Sequence, residues 1–118
     1  MPRLNVQADI RDRLAKALPG FHVVVSVPEK RKYPLIVVRR SGGGRDKYLD
    51  FPTLTILVWD TSEQKAFAAA EKVSDLMHQL PFLAGYGSIN ETSFYSDFDT
   101  DAGCPRWHLS YNLSTFKE

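Results

Sequence analysis

One cysteine and three histidines are the first candidates in this chain for nucleophilic, acid–base or metal-binding chemistry. Cys104 stands before Pro105 in a predicted loop, where no helix N-terminus would lower the pKa of its thiol. His22, His78 and His108 fall on a predicted strand, a helix and a second strand, without another histidine or cysteine at metal-ligand spacing. Pairing of Cys104 with a histidine in the folded chain stays open, but structural roles explain these residues more simply. We therefore predict no enzyme activity and no catalytic, cofactor or metal site.

Three aspartates alternate as they do at the start of a calcium-binding loop: Asp97, Asp99 and Asp101. An EF-hand loop needs glycine at its sixth position and glutamate at its twelfth. Ala102 and His108 occupy those positions here, and no helices are predicted on either side. The pattern therefore predicts a solvated acidic turn.

Residues 41–47 form a glycine-rich segment, with Gly42, Gly43 and Gly44 in succession. A phosphate-binding loop would need the pattern G-x-x-x-x-G-K-[ST] and a helix directly after it, and the chain has neither. Ordering three glycines costs much backbone entropy. The segment is therefore predicted to be the flexible tip of a long hairpin.

Basic residues are concentrated between positions 30 and 47. One interpretation is that they solvate the ends of two hairpins and protect a strand edge. The other is a basic protrusion that contacts an acidic partner or DNA. Runs of charge are usually solvated, so the first interpretation is the simpler, and both stay open. The residues are Lys30, Arg31, Lys32, Arg39, Arg40, Arg45 and Lys47.

Charge and cysteine content exclude several classes of protein. Lysine and arginine number 15 against 14 aspartates and glutamates, so the strong basic excess of a protein that wraps nucleic acid is missing. A single cysteine excludes a disulfide framework within the chain and suits a reducing compartment. Residues 1–18 lack the apolar core of a signal peptide, and no apolar run is long enough to cross a membrane. We therefore expect an intracellular protein with one domain over residues 1–118.

Hydrophobic periodicity predicts seven elements that would position these residues. The first helix spans 5–18, with Asn5 as its N-cap. The second begins where Thr61 and Gln64 fit a capping box and extends to Leu80, before Pro81. Strands are predicted at 21–27, 35–40, 48–60, 89–98 and 106–116.

This order, α-β-β-β-α-β-β, predicts an α+β domain with a mainly antiparallel sheet and both helices packed on one face. A short polar link between the first two strands predicts that they pair antiparallel. Alternation along the strands predicts a second sheet face that suits water or a wet interface with a partner. That face would carry Thr53, Thr55, His108, Ser110 and Asn112.

Three aromatic residues, Phe94, Tyr95 and Phe98, crowd a strand that is otherwise polar. Aromatic residues are enriched in the cores of interfaces, so these three form a candidate subunit interface. A strand whose other face closes over the core would explain them equally well.

The chain resembles the tail terminator, or tail completion, proteins of long-tailed bacteriophages and related minor tail components. The resemblance begins with the short first helix and continues through 34–44, where a strand ends in arginine before the glycine-rich loop. It extends over 50–59, a strand that ends in an aromatic residue, and over the alanine-rich helix at 62–80. A late strand after Cys104-Pro105-Arg106 completes the pattern.

This resemblance implies a structural virion protein with no enzymatic activity and no cofactor. It implies a ring, typically a hexamer, that caps the tail tube, stops its polymerisation and offers a head-tail joining surface. Partners would be the tail tube protein and the head–tail connector, and genomic DNA would pass through the lumen without sequence-specific binding. The protein would be assembled in the host cytoplasm and reside in the virion tail, without a membrane partner.

The resemblance also assigns a role to the hairpin at residues 39–50, the loop that contacts neighbouring rings. Its candidate partner-binding residues are Arg39, Arg40, Gly42, Gly43, Gly44, Arg45 and Lys47. We expect glutamate at Arg39, Arg40 and Arg45 to spare folding. The length predicts a ball about 35 Å across, and six such balls in a ring leave a hole about one ball wide.

Two other functions stay open. One is a head–tail connector or stopper, which sequence separates poorly from a terminator. The other is a small intracellular enzyme with a pocket near Cys104, His108 and Asp97, although no constellation of residues supports it.

Overall fold

Two α-helices and six strands make up the fold within residues 4–116, the part of the chain that the computed structural model describes. The confirmed class is α+β, with a mainly antiparallel sheet and the predicted order of helices and strands. A short 3₁₀ turn at Leu80–Phe82 follows the second helix. The elements are α1 (Val6–Ala17), β1 (His22–Val24), β2 (Leu35–Gly42), β3 (Leu49–Asp50), β4 (Thr53–Trp59), α2 (Glu63–Met77), β5 (Tyr86–Ser96) and β6 (Arg106–Phe116).

The sheet has the order β1-β2-β4-β6, with β5 on the outer side of β6 and β3 against the end of β6. The first strand pair is parallel, so the predicted antiparallel pairing of β1 and β2 is wrong. The chain leaves β1 after Val24 and returns through residues 25–34 to start β2 beside the start of β1. There the His22 amide donates to the Pro34 carbonyl at 2.9 Å. The link is therefore a crossover and not a tight turn.

Proline divides the third predicted strand. Residues 48–60 form two strands, β3 and β4, separated by Phe51 and Pro52. Pro52 has no N–H to donate, so it interrupts the ladder. β3 pairs with the end of β6 through Leu49 and Asp50.

Both helices pack on one face of the sheet, as predicted. α1 contributes an apolar stripe at a spacing of four residues, and α2 contributes small residues that allow close approach to the strands. The alternating residues of β2, β4 and β6 that face the helices are fully buried. This core includes Val6, Ile10, Leu14, Ile36, Val38, Leu54, Ile56, Val58, Ala69, Ala70, Val73, Met77, Leu109, Tyr111 and Leu113.

Side-chain caps begin both helices. Asn5 Oδ1 accepts from the Ala8 amide at 3.2 Å, as predicted. Ser62 caps α2 in place of the predicted Thr61, since Ser62 Oγ accepts from the Lys65 amide at 3.2 Å. The Thr61 amide instead donates to the carboxylate of Asp60 at 2.6 Å.

The two outer strands of the sheet differ in length and protection. β1 has three residues, and Arg11 Nε donates to the Val23 carbonyl at 3.0 Å. β5 has eleven residues, and its ladder with β6 shifts register around Gly87 and Thr92. Those shifts are β-bulges, which bend and twist a strand locally.

The molecule measures 44 × 25 × 24 Å and is therefore more elongated than the predicted ball. No helix in residues 4–116 is long and apolar enough to cross a membrane.

Candidate functional site

A buried ion pair clamps the base of the glycine-rich hairpin. Arg40 Nη1 and Nη2 donate to the two carboxylate oxygens of Asp50 at 2.6 and 2.9 Å, and Asp50 is fully buried. The same guanidinium donates to the carbonyls of Gly42 and Gly43. The hydrogen bond to Asp50 holds the pKa of Arg40 above its usual value. Arg40 therefore shapes the hairpin from within. Contrary to the expectation from the sequence, we expect glutamate at this position to destabilise the hairpin.

The hairpin backbone is closed by further hydrogen bonds. Asp46 Oδ1 accepts from the amides of Tyr48 and Leu49 at 2.9 and 2.7 Å, and the Phe51 amide donates to the Gly44 carbonyl at 2.9 Å. Gly43 has φ +99°, and a Cβ there would lie 2.0 Å from the Phe51 carbonyl oxygen. Only glycine fits this position. The segment predicted to be a flexible tip is thus a hydrogen-bonded turn.

The outer surface of the hairpin is basic and aromatic. Arg39, Arg45 and Lys47 are exposed, and so are Gly42, Gly43 and Gly44. Tyr48 is 71% exposed, and Lys47 Nζ lies 5.4 Å from its ring centre. The predicted partner-binding residues, Arg40 excepted, are therefore exposed where a partner could reach them.

The sheet face away from the helices has an apolar part and a polar part. Leu35, Val37 and Trp59 form a small cluster with Cys104. The rest of the face carries hydroxyls and amides: Thr55 Oγ1 donates to Ser41 Oγ at 3.1 Å, and Thr53 Oγ1 donates to Asn112 Oδ1 at 3.2 Å. His108 and Ser110 complete the predicted polar set, and Arg39 is at its margin.

The three aromatic residues predicted as an interface are divided between different surfaces. Phe94 packs on the helix face against Trp107, with ring centres 5.0 Å apart. Tyr95 stacks on His108 on the opposite face at 4.8 Å. Phe98 lies in the loop after β5 and is 49% exposed. They do not form one patch, because alternation along β5 sends neighbours to opposite faces.

The acidic loop between β5 and β6 is organised around Asp99. Its Oδ2 accepts from Trp59 Nε1 at 2.8 Å and from Arg31 Nη1 at 3.1 Å, and its Oδ1 accepts from the amides of Asp101 and Ala102. The hydrogen bond from Trp59, followed by those from Ala102 and Arg31, lowers the pKa of Asp99 to about 2. Asp99 is thus a buried structural carboxylate, in place of the solvated turn predicted.

The cysteine and the histidines have structural contacts. Cys104 is buried, and its thiol donates to the Asp60 carbonyl at 3.1 Å. Burial raises the pKa of Cys104, which disfavours the reactive thiolate. His78 Nδ1 lies 2.7 Å from the Ser74 carbonyl at the end of α2. Within residues 4–116, no group of three or more His, Cys, Asp or Glu residues is arranged to hold a metal ion.

Sequence reasoning missed two features. One is a partly buried hydrogen-bond network in which Glu91 Oε1 accepts from Ser74 Oγ and Tyr111 Oη, each at 2.7 Å. The other is an apolar groove of about 510 Å³ between α1 and the end of α2. Phe82 lines this groove and is 87% exposed. The adjacent apolar residues Phe82 and Leu83 in a predicted turn could have indicated the groove. No pattern in the sequence indicates the hydrogen-bond network.

No protein-family model matches this chain, and no curated protein is significantly similar to it. The geometry of these surfaces therefore carries the functional argument.

Proposed function

We propose that the chain is a structural subunit of the tail of a long-tailed bacteriophage. In this proposal it is a tail terminator whose copies form a ring, a hexamer, on the end of the tail tube. The ring stops polymerisation of the tube and offers the surface to which the head is joined. The pattern of strand, glycine-rich loop, strand and alanine-rich helix in the sequence resembles such proteins.

The observation that carries the proposal is the clamped hairpin. The surface loop is held by a bidentate guanidinium–carboxylate pair whose buried carboxylate carries a desolvation penalty. It holds the backbone of the hairpin that carries the exposed residues Arg45 and Lys47. A preorganised loop loses little freedom on binding, which favours a role in contacting a neighbouring ring.

The dimensions of the subunit are compatible with a conduit. Six copies placed side by side along the 25 Å dimension enclose a hole about one subunit wide. The polar face of the sheet is a candidate lining, because hydroxyls and amides contact phosphates without reading sequence. A formal charge of +1 suits a channel through which DNA slides.

The first experiment measures the solution mass by size-exclusion chromatography with light scattering, over a range of protein and salt concentrations. The second adds the chain to growing tubes of a bacteriophage tail tube protein. We expect a closed species near six subunits or capture on tube ends, and tubes that stop growing. A protein that neither forms rings nor binds tube ends would overturn the proposal.

Variants of the hairpin test its role in joining. Arg39→Glu with Arg45→Glu should leave folding and tube capping intact and reduce joining to heads. Lys65→Glu with Lys72→Glu, two exposed positions on α2, is the control of equal charge change. Normal joining by the double variant would remove the hairpin from the mechanism. A chain that joins heads without stopping tube growth would instead be a head–tail connector.

A further inference from the structure

We propose that the contact between neighbouring subunits of the ring is made by the loop at Phe98. In this arrangement the loop of one copy inserts into the groove between α1 and α2 of the next copy. The inference rests on the proposed function, because it specifies how the subunits of that ring join.

The groove is a concave apolar surface of about 510 Å³. Ile10 and Leu14 of α1 form one wall, and Leu76 at the end of α2 and Leu80 in the following 3₁₀ turn form the other. Phe82 at its margin is more exposed than any other large apolar residue in the described chain. Apolar patches of this kind mark interaction sites, since leaving them in water is unfavourable.

The loop at Phe98 is a rigid aromatic protrusion. Phe98 is 49% exposed, although the residue after it, Asp99, is buried and accepts four hydrogen bonds. The amides of Gly103 and Cys104 also donate to the Asp99 carbonyl, which closes the turn. The loop therefore loses little conformational entropy when its aromatic ring enters a groove.

The charges beside the loop and the groove are opposite. Asp101 is exposed in the same loop, three residues after Phe98, whereas Lys16 lines the groove on α1. Arg13, the other basic residue of the groove, is bound to Asp9 at 2.8 Å. Within residues 4–116 Lys16 makes no ion pair, so it can face Asp101 of a second copy. This complementarity favours a second copy of the chain as the occupant of the groove.

The two surfaces lie at opposite ends of α2. The loop returns to β6 at Pro105, whose carbonyl accepts from the amide of Asp60 just before α2 begins. The groove is at the other end of this 15-residue helix, which is about 22 Å long. A contact between two different surfaces is heterologous, and it generates a ring when the rotation closes.

A charge exchange tests the pairing of Asp101 with Lys16. Lys16→Glu and Asp101→Lys should each weaken self-association about tenfold in sedimentation velocity, and the double variant should recover it. Lys65→Glu is the control and should leave association unchanged. Unchanged association in both single variants, or a double variant weaker than either, would contradict the pairing.

A disulfide trap decides the contact even where association is weak. The variant Phe98→Cys with Leu83→Cys should form a ladder of cross-linked subunits under mild oxidation, ending at the closed ring. Each single cysteine variant should stay uncross-linked, because the two positions meet only each other. Absence of the ladder, or equal cross-linking of a single variant, would overturn the contact.

These outcomes separate this contact from the proposed function. A six-subunit species by light scattering without a ladder would leave the ring intact and reject the contact. A ladder that extends into open polymers that do not cap tubes would support the contact and reject the terminator.

Discussion

Arg40 and Asp50, ten positions apart, meet in a bidentate pair whose carboxylate is fully buried. The pair joins the end of β2 to β3 and draws the intervening glycines against the guanidinium. The stability of the hairpin is therefore coupled to the stability of the folded core through this ion pair.

Replacing Arg40 should lower the free energy of unfolding more than replacing its neighbour Arg39. Removal of one partner of a buried ion pair costs about 3–5 kcal/mol, so Arg40→Ala should lower the free energy of unfolding by that amount. Arg39→Ala, at an exposed position, should change it by less than about 0.5 kcal/mol. Urea denaturation of both variants measures the difference, and equal stabilities would show that the clamp is not needed.

The glycines of the hairpin should differ in their tolerance of alanine. Gly43→Ala combines a positive φ with a clash against the Phe51 carbonyl oxygen, and should cost about 2 kcal/mol or more. Gly44→Ala meets open space and is the matched control. Thermal unfolding compares the two, and a stable Gly43→Ala protein would mean that the turn is built differently.

Acid should destabilise the chain through Asp99. Its folded pKa of about 2 lies below the ordinary value of 3.8, so its contribution is complete above pH 4. That contribution is lost as the pH falls from about 4 to about 2. Asp99→Asn should lower stability at pH 7 and flatten the dependence in this range. Urea midpoints measured at each pH test this, with Asp101→Asn as the exposed control; parallel curves for Asp99→Asn and the unmodified chain would exclude Asp99 as the source.

Alkali should act through two buried tyrosines. Burial, followed by the hydrogen bonds to Glu91 and Asp9, raises the pKa of Tyr111 and of Tyr86 above the usual range. The folded pKa is higher than the unfolded one, so this stability is complete below about pH 10 and is lost as the pH rises further.

Ultraviolet absorbance titration should show the phenols of Tyr86 and Tyr111 ionising only as the chain unfolds. Tyr111→Phe should remove one of these late ionisations, and Tyr95→Phe, at an exposed position, should leave both in place. Ionisation of both phenols near pH 10 in the folded chain would show that they are open to solvent.

Local patterns predicted most of the fold, because they arise from neighbours in sequence. The stripe of α1 and the alternation of β6 gave those elements within a residue or two of their observed bounds. The direction of β1 relative to β2 depended on the path of residues 25–34, which Arg31 ties to Asp99 from 68 positions away. Hydrophobic periodicity does not indicate a contact between residues so far apart in the sequence.

The position of the hairpin could be predicted from the sequence, but the interactions that hold its shape could not. Consecutive glycines marked the hairpin, but the dependence of its shape on Arg40 required knowledge that Asp50 is buried beside it. In the same way Phe94, Tyr95 and Phe98 looked like one cluster in the sequence. Phe94 and Tyr95 are consecutive on β5 and therefore face opposite sides of the sheet, and Phe98 lies in the loop after the strand.

The unequal outer strands of the sheet bear on aggregation. β1 offers only three residues for pairing with another strand, and Arg11 already donates to the Val23 carbonyl there, whereas β5 offers eleven residues. Cross-β growth from this protein would therefore start at β5. The bulges around Gly87 and Thr92 divide that strand into short regular stretches, so an added strand finds no long uninterrupted template and concentrated solutions should stay clear.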